Sequence, residues 1–239
     1  MSPSRPSPSE RVTVCVLCYG DHPDLARRSI GSILHHTDQD AFNLRIGLNA
    51  GGVRTEEFVD EVVARFPETL VVRSGQNIFK APMLGRLIGE PAPATPWTVW
   101  FDDDSFVRRS DWLPLLRNQI ALHPSVDMWG SVHLVRCGQD LQEFVDQSAW
   151  YRGLPFVIDQ KTGDPVIRFA VGGYWAIKTE WFHRLKWPDA RIRQYGEDYM
   201  LGEALRQNGG AVGDFLSGIA INRAVRRIPS SVRVPGFLF

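Results

Sequence analysis

The stretch WTVWFDDDSFV, residues 97–107, runs from five aromatic or β-branched residues directly into three consecutive carboxylates. Residues of the first kind favour a buried strand. The carboxylates of Asp102, Asp103 and Asp104 repel one another, so they need solvent, hydrogen-bond donors or a cation beside them. The function of this strand end therefore depends on whether the fold places solvent, hydrogen-bond donors or a cation beside the carboxylates.

Segments of strand and helix character alternate before residue 97. The strand segments cover residues 11–20, 42–52 and 69–74, and the helical segments cover residues 23–36, 55–66 and 80–90. This alternation predicts βαβ units and a mainly parallel sheet with helices on both faces. Ligands bind such sheets beyond the carboxyl ends of the strands, so we expect Tyr19, Asn49 and the Asp triplet at one edge.

The second half of the chain has a different pattern. A helical segment at residues 110–124 precedes two segments typical of antiparallel strands, residues 127–137 and 155–178. KTGD, residues 161–164, predicts a hairpin tip, and residues 196–207 predict a last helix. The sequence therefore predicts one α/β domain with a mainly parallel half and a smaller antiparallel half.

The composition of the 239 residues limits the partners and the compartment. Lys plus Arg and Asp plus Glu both total 27, so no overall charge attracts nucleic acid or an anionic membrane. Cys15 and Cys18 lie in an apolar strand segment, where a separation of three places side chains on opposite faces. We therefore expect buried free thiols instead of a redox or zinc motif, and a cytoplasmic protein.

The ends of the chain differ from its interior. Residues 1–10 are rich in Pro and Ser and predict a disordered tail, without the apolar segment of a signal peptide or an anchor. We expect no transmembrane segment, because no apolar run approaches the ~20 residues that span a bilayer. The basic tail at residues 223–239 has two interpretations: a mobile tail, or a clamp on the phosphates of a donor, a lipid-linked acceptor or a nucleic acid.

The Asp triplet also has two interpretations. Asp and Ser favour turns, so the triplet can be an ordinary solvated turn. At the ligand-binding edge of a nucleotide-type sheet, the same carboxylates suit Mn²⁺ or Mg²⁺, which prefer carboxylate and phosphate oxygens. Because the triplet follows an apolar strand at that edge, we favour a site for a metal-bound diphosphate.

A second acidic pair, Glu197 and Asp198, lies in YGEDYMLGEAL, residues 195–205. Acids in the first turn of a helix favour its dipole and satisfy free amides, which explains one of the two. A carboxylate at the same edge as the Asp triplet is also suited to act as a general base that takes a proton from an acceptor hydroxyl.

Four segments resemble, in order and rough spacing, those of GT-A glycosyltransferases of the family-2-like type. They are VTVCVLCYGDHPDLARRSIGSIL (12–34), WFDDDSFV (100–107), VGGYWAIKTEWF (171–182) and YGEDYMLGEAL (195–205). The resemblance implies a Rossmann-like nucleotide-sugar-binding half at residues 11–107 and an acceptor half at residues 108–222. It also implies metal-dependent, inverting transfer of a sugar from a nucleotide-diphosphate sugar to an acceptor hydroxyl by direct displacement.

Residue roles follow from the same resemblance. Asp104 is similar to the carboxylate that binds Mn²⁺ or Mg²⁺, and Asp102 to the one that contacts the metal or the ribose. Asp198 resembles the base, and Glu197 a residue that orients the acceptor. The other candidates are donor-binding Tyr19, Asn49, Asn77, Lys80 and Asp103, and acceptor-binding Gly172, Gly173, Tyr174, Trp175 and Trp150.

Several candidates keep a structural alternative. The aromatic side chains of Trp150, Tyr174 and Trp175 suit stacking on a sugar or a base, but large aromatics are more often core residues. Lys80 and Arg86 either face the donor phosphates or lie on a solvated helix face.

The sequence departs from the resembled pattern at two points. Relatives commonly end the second strand with an Asp-rich turn that helps to bind the nucleoside, whereas GLNAGG, residues 47–52, places Asn49 there. Some GT-A enzymes use a late histidine as a metal ligand, but no histidine follows His183. A metal would then rely on Asp104, phosphates and water.

Other functions and acceptors remain open. A phosphatase of the haloacid dehalogenase type is disfavoured, because its DxD ends the first strand and Phe106 stands where that motif has Thr or Val. A non-catalytic sugar-binding GT-A homologue remains an alternative. The acceptor can be a glycan, a lipid-linked sugar or a modified nucleic-acid base.

Overall fold

The computed structural model describes residues 11–89, 91–193 and 195–221. The tail predicted at residues 1–10 and the basic tail predicted at residues 223–239 lie outside the described residues.

Strands and helices follow one another in nearly the predicted order. The strands are β1 Val12–Tyr19, β2 Phe42–Asn49, β3 Leu70–Ser74, β4 Trp97–Asp102, β5 Phe106–Val107, β6 Met128–Arg136, β7 Val157–Ile158, β8 Pro165–Lys178, β9 Val212–Asp214 and β10 Ile219–Ala220. The helices are α1 Pro23–His36, α2 Val53–Arg65, α3 Lys80–Gly89, α4 Trp112–Leu122, α5 Gln139–Asp146, α6 Glu180–Leu185 and α7 Glu197–Gln207, with a 3₁₀ turn at Gln39–Ala41.

One mixed sheet forms the centre of the described chain. Its strand order is β3-β2-β1-β4-β8-β6-β9, and β7 pairs with β8. The strands from β3 to β4 are parallel neighbours, whereas β8 pairs antiparallel with β4, β6 and β7. A small antiparallel sheet joins β5 to β10. This topology confirms the predicted α/β fold with a mainly parallel half and a smaller antiparallel half.

Strand β1 shows why helices cover both faces of the sheet. Its first seven residues are buried, and alternate side chains enter two separate apolar clusters. Val16 and Cys18 belong to the cluster of Ile30 in α1, and Cys15 belongs to the cluster of Leu84 in α3. Cys15 and Cys18 are buried free thiols on opposite faces, as predicted.

The strand register brings the predicted residues to one edge. Tyr19 at the end of β1 is opposite Asn49 at the end of β2, and Leu17 is opposite Asp102 at the end of β4. Strand β8 follows β4 in the sheet, with Trp100 and Trp175 as register partners whose rings stack at 5.6 Å between centroids. Helix α7 packs against β8, so Glu197 begins a helix beside the end of β4.

One helix lies where the sequence indicated a loop. Helix α5 has only eight residues, and it begins after Gly138. Leu141 and Val145 are one helical turn apart and are both buried, so packing stabilises a segment too short to be recognised by its periodicity. Within the described ranges, no helix combines the length and the apolar character that a membrane span requires.

Candidate active site

The three aspartates at the end of β4 have different surroundings. Asp103 is 1% exposed, and its Oδ2 accepts the backbone N–H of Tyr19 at 3.1 Å. Its own N–H donates to the carbonyl of Leu17 at 3.1 Å. Asp103 therefore ties the end of β4 to the end of β1, while Asp102 and Asp104 on either side of it are partly exposed. The prediction that Asp103 contacts the donor disagrees with this burial.

Lys80 joins Asp102 to the second acidic pair. Its ammonium nitrogen lies 2.9 Å from Asp102 Oδ2 and 2.6 Å from Glu197 Oε1, and it donates to the carbonyl of Gly172 at 2.9 Å. Burial opposes the charge of Lys80, but the carboxylates of Asp102 and Glu197 outweigh it and raise the lysine pKa above its ordinary value. The other oxygen of Asp102 accepts the indole N–H of Trp100 at 2.9 Å. The two predicted acidic clusters therefore meet around one buried cation.

The two acids at the start of α7 have different partners. Asp198 Oδ2 accepts the N–H of Gly172 at 2.9 Å, and Oδ1 accepts the N–H of Tyr199 at 2.9 Å. Gly196 precedes the pair with φ of 87°, a left-handed conformation that favours glycine. Asp198 remains partly exposed, whereas Glu197 is 5% exposed. The two neighbours are thus distinct: Glu197 faces Lys80, and Asp198 keeps an accessible edge.

Burial governs the proton affinity of both acids. Burial raises the pKa of Glu197 to about 7, an effect that the charge of Lys80 opposes and the charge of Asp198 reinforces. Burial also raises the pKa of Asp198, although Lys80 and the two backbone N–H donors act in the opposite direction. A carboxylate with a raised pKa accepts a proton more readily at neutral pH.

Asp104 fits a cation-binding role. Among the described residues, its buried Oδ1 has no hydrogen-bond partner. Burial and then the charge of Asp102 raise the pKa of Asp104 to about 6, which is the effect expected when the charge of a carboxylate is poorly compensated. No cluster of three or more His, Cys, Asp or Glu side chains in the described ranges is arranged to hold a metal. The unpartnered Oδ1 of Asp104 and its poorly compensated charge are the features that fit a cation.

Asn49 and Asn77 organise the loop before α3. The amide of Asn49 donates to Asn77 Oδ1 at 3.0 Å and accepts the N–H of Ile78 at 2.9 Å. Asn77 Oδ1 also accepts the N–H of Phe79, which has φ of 72°, at 2.9 Å. Asn49 is 2% exposed. Its side chain positions the turn that leads into Lys80, and this disagrees with the prediction that Asn49 faces a nucleoside.

The predicted acceptor-binding residues divide into two groups. Gly172 and Gly173 are buried at the site, and a Cβ atom on Gly172 would lie 2.9 Å from both Lys80 Nζ and Glu197 Oε1. The side chains of Trp150, Tyr174 and Trp175 are 3%, 0% and 1% exposed. The stacking role predicted for these three is corrected, because core packing leaves none of their rings an open face. 

Tyr19 and Arg86 differ in their relation to this edge. Tyr19 is 37% exposed at the end of β1 and remains a candidate for contact with a base. Arg86 is exposed on α3, as in the alternative of a solvated helix face. Two residues near the site were not singled out in the sequence: Trp100, which donates to Asp102, and Arg28 of α1, whose charge lowers the pKa of Asp104.

Comparisons with known proteins are informative at the level of the fold. No protein-family model and no curated protein matches the sequence. Among solved structures, the chain is similar to the mannosyltransferase PcManGT from Pyrobaculum calidifontis in complex with GDP-Man and Mn²⁺, with a TM-score of 0.61 and 18% identity over 88% of this chain and 56% of that one. It is also similar to S. aureus TarS, with a TM-score of 0.57 and 10% identity over 86% of this chain and 35% of that one.

These similarities confirm the GT-A-like fold predicted from the sequence motifs. The chain spans 56% and 35% of the lengths of the two matched proteins.

Proposed function

We propose that the chain is an inverting, metal-dependent glycosyltransferase that moves a sugar from a nucleotide-diphosphate sugar to an acceptor hydroxyl. The observation that carries this proposal is the contact of one buried lysine, Lys80, with carboxylates from both acidic clusters, Asp102 and Glu197, at 2.9 and 2.6 Å. This contact joins the neighbours in sequence of the proposed metal ligand and the proposed base, and so supports one site for both. The GT-A-like fold supports the same function, and so does the location of the site beyond the carboxyl ends of parallel strands.

Asp198 is the proposed general base. Two backbone N–H donors fix its orientation, and burial raises its pKa, so it is suited to receive the proton of the acceptor hydroxyl. As the acceptor oxygen bonds to the anomeric carbon, the bond from that carbon to the diphosphate oxygen breaks, and the nucleoside diphosphate leaves. The proton ends on Asp198 and the configuration inverts, without a covalent enzyme intermediate.

Asp104 is the proposed metal ligand, with Asp102 beside it. A bound Mn²⁺ or Mg²⁺ supplies positive charge that stabilises a leaving diphosphate. The unpartnered Oδ1 of Asp104 suits this role, while both oxygens of Asp102 already accept hydrogen bonds from Lys80 and Trp100. We therefore assign direct metal binding to Asp104 first, and to Asp102 the placement of Lys80.

Lys80 is the proposed positioning residue of the site. It holds Asp102, Glu197 and the carbonyl of Gly172 in fixed relation, so a shift of one acidic cluster moves the other. Its ammonium also compensates two carboxylates that a buried site tolerates poorly when they are unpaired. Glu197 orients Lys80 and, through Lys80, the acceptor side of the site.

The acceptor class and the compartment belong to the same proposal. The proposed acceptor is a glycan, a lipid-linked sugar or a modified nucleic-acid base. The three buried free thiols, Cys15, Cys18 and Cys137, support a reducing compartment and hence the cytoplasm.

A donor screen tests the proposed function. The protein is incubated with common nucleotide sugars and Mn²⁺ or Mg²⁺, and donor binding is followed by the shift in Tm while turnover is followed by release of the nucleoside diphosphate. We expect one donor class to raise Tm in the presence of the metal and to release its diphosphate when an acceptor is added. A protein that binds none of the nucleotide sugars under either metal would contradict the proposal.

A further inference from the structure

Arg28 of helix α1 lies beside the metal-binding end of the site. Helix α1 is joined to β5 by a hydrogen bond from the N–H of Val107 to Ser32 Oγ at 3.0 Å. The guanidinium carbon of Arg28 lies 4.7 Å from the ring centroid of Phe106, which follows Asp104 by two residues. The cation–π contact therefore holds the guanidinium against the residue two positions after Asp104.

Two guanidinium nitrogens of Arg28 have no hydrogen-bond partner among the described residues. In the part of the chain that the structure describes, Nε and Nη2 of Arg28 are buried and donate no hydrogen bond. Arg45 offers a contrast, because its Nη1 donates to the carbonyls of Leu87 and Pro91 at 2.6 Å each. A charged donor without a partner is costly when shielded from water, so the site of Arg28 favours the arrival of an anion.

The surroundings of Arg28 indicate which anion fits. Its charge acts on Asp104, but no hydrogen bond joins the two side chains, so Arg28 does not serve as the fixed counter-ion of Asp104. The two groups at this point are a guanidinium with unpartnered nitrogens and a carboxylate that is proposed to bind a cation. A diphosphate suits both neighbours, because guanidinium groups bind phosphate oxygens in pairs and a metal-bound carboxylate shares its cation with phosphate.

We propose that Arg28 binds the diphosphate of the nucleotide donor from helix α1, as an anion-binding residue separate from Lys80. This inference rests on the proposed function, since it names a residue that holds the donor of that reaction. Lys80 already contacts two carboxylates and a carbonyl, whereas Nε and Nη2 of Arg28 donate no hydrogen bond to any described residue.

Calorimetry with nucleoside diphosphates tests Arg28 against a matched neighbour. Arg27 stacks on Phe58 at 5.0 Å as Arg28 stacks on Phe106, but it is exposed. GDP and UDP are titrated with Mn²⁺ into the wild type, Arg27→Ala, Arg28→Ala and Arg28→Lys. We expect Arg28→Ala to weaken diphosphate binding about 10- to 100-fold and Arg28→Lys to weaken it less, with Arg27→Ala unchanged. Equal affinity of Arg28→Ala and Arg27→Ala overturns the inference.

A second comparison separates phosphate binding from a structural role. The same variants are titrated with GMP and UMP, and Arg28→Gln replaces Arg28→Ala if the alanine variant does not fold. We expect the advantage of diphosphate over monophosphate to shrink in the Arg28 variants at unchanged Tm; an undiminished advantage overturns the inference. If the wild type binds neither diphosphate and none of the nucleotide sugars of the donor screen, the proposed function fails and this inference fails with it, whereas failure of Arg28 alone leaves wild-type binding intact.

Discussion

The ammonium nitrogen of Lys80 lies 2.6 Å from Oε1 of Glu197, and this contact joins the first residue of α3 to the first residue of α7. Both side chains are nearly buried, with 12% and 7% of their side-chain surfaces exposed. A charge pair in this setting is stabilising only while both partners are present, because either charge alone is costly to bury. The contact therefore determines both the stability and the geometry of the proposed site.

Replacing Lys80 is expected to destabilise the fold in a pH-dependent way. Lys80→Met leaves Glu197 and Asp102 without their cation, and the expected loss of unfolding free energy near neutral pH is about 3 kcal/mol. Without Lys80 the pKa of Glu197 lies above its wild-type value of about 7, so the loss should shrink as the pH falls through that raised pKa towards 7, because a protonated carboxyl needs no counter-ion. Urea unfolding of wild type and variant at several pH values measures this difference.

Lys178→Met is a matched control for that experiment. Lys178 lies 2.8 Å from Asp127, but its side chain is 26% exposed, so its loss should cost less and depend less on pH. Equal losses of unfolding free energy in the two lysine variants would show that the Lys80 contacts stabilise the fold no more than the exposed Lys178 pair does.

Adding a methyl group to Gly172 is expected to disturb the charged contacts directly. The new Cβ atom would lie 2.9 Å from Lys80 Nζ and Glu197 Oε1, which is too close for an unshifted neighbour. We expect Gly172→Ala to lower kcat by about 100-fold, because small displacements of reacting groups have effects of that size. Gly75→Ala serves as control, since a Cβ there meets no atom within 4 Å. Steady-state kinetics in which both variants resemble the wild type would argue against the assigned geometry.

The pH dependence of transfer should report on Asp198. Burial raises the pKa of this carboxyl above its ordinary value of 3.8, and the base works only when deprotonated. Activity is therefore expected to fall as the pH decreases through the raised pKa, about tenfold per pH unit at the acidic end. The profile of kcat is measured alongside donor affinity at each pH. A kcat that stays constant down to the ordinary aspartate range would exclude Asp198 as the base.

The hydrogen bonds of Asn49 predict a structural phenotype for its variants. Asn49→Ala removes the acceptor of the Ile78 N–H and the donor to Asn77, and the expected loss of unfolding free energy is about 1–3 kcal/mol. Asn49→Asp should also destabilise, because it places a carboxylate oxygen against Asn77 Oδ1. Thermal unfolding compares both variants with Asn43→Ala on the same strand. Stability equal to that of the Asn43 variant would mean that the amide does not hold the loop.

The parallel half of the fold was predictable because local patterns determine it. Strand β1 is apolar along its length, and the helices beside it have clear apolar stripes, so the sheet and the edge at which its parallel strands end followed from the sequence alone. Helix α5 was not predicted, because a segment of eight residues contains too few turns to display a period.

The site was predictable only in part, since contacts between distant residues leave no local signal. The sequence indicated Asp102, Asp104, Glu197 and Asp198, but not that Lys80 would contact the carbonyl of a glycine 92 positions away. Residue type also failed to separate buried from exposed aromatics, so Trp175 was given a stacking role although it is a core residue. The sequence of helix α1 gave no reason to separate Arg27 from Arg28. The fold distinguishes them, because Arg27 stacks on Phe58 and Arg28 stacks on Phe106.

The separate roles of Asp104 as metal ligand and Asp198 as general base are tested most directly by calorimetry and turnover measurements on two variants. Titration of the nucleotide-sugar donor with Mn²⁺ should show that Asp104→Ala loses metal-dependent binding, whereas Asp198→Asn binds the donor as the wild type does and no longer transfers the sugar. If Asp198→Asn loses donor affinity as severely as Asp104→Ala, Asp198 is a donor-binding residue, and the proposed base is wrong.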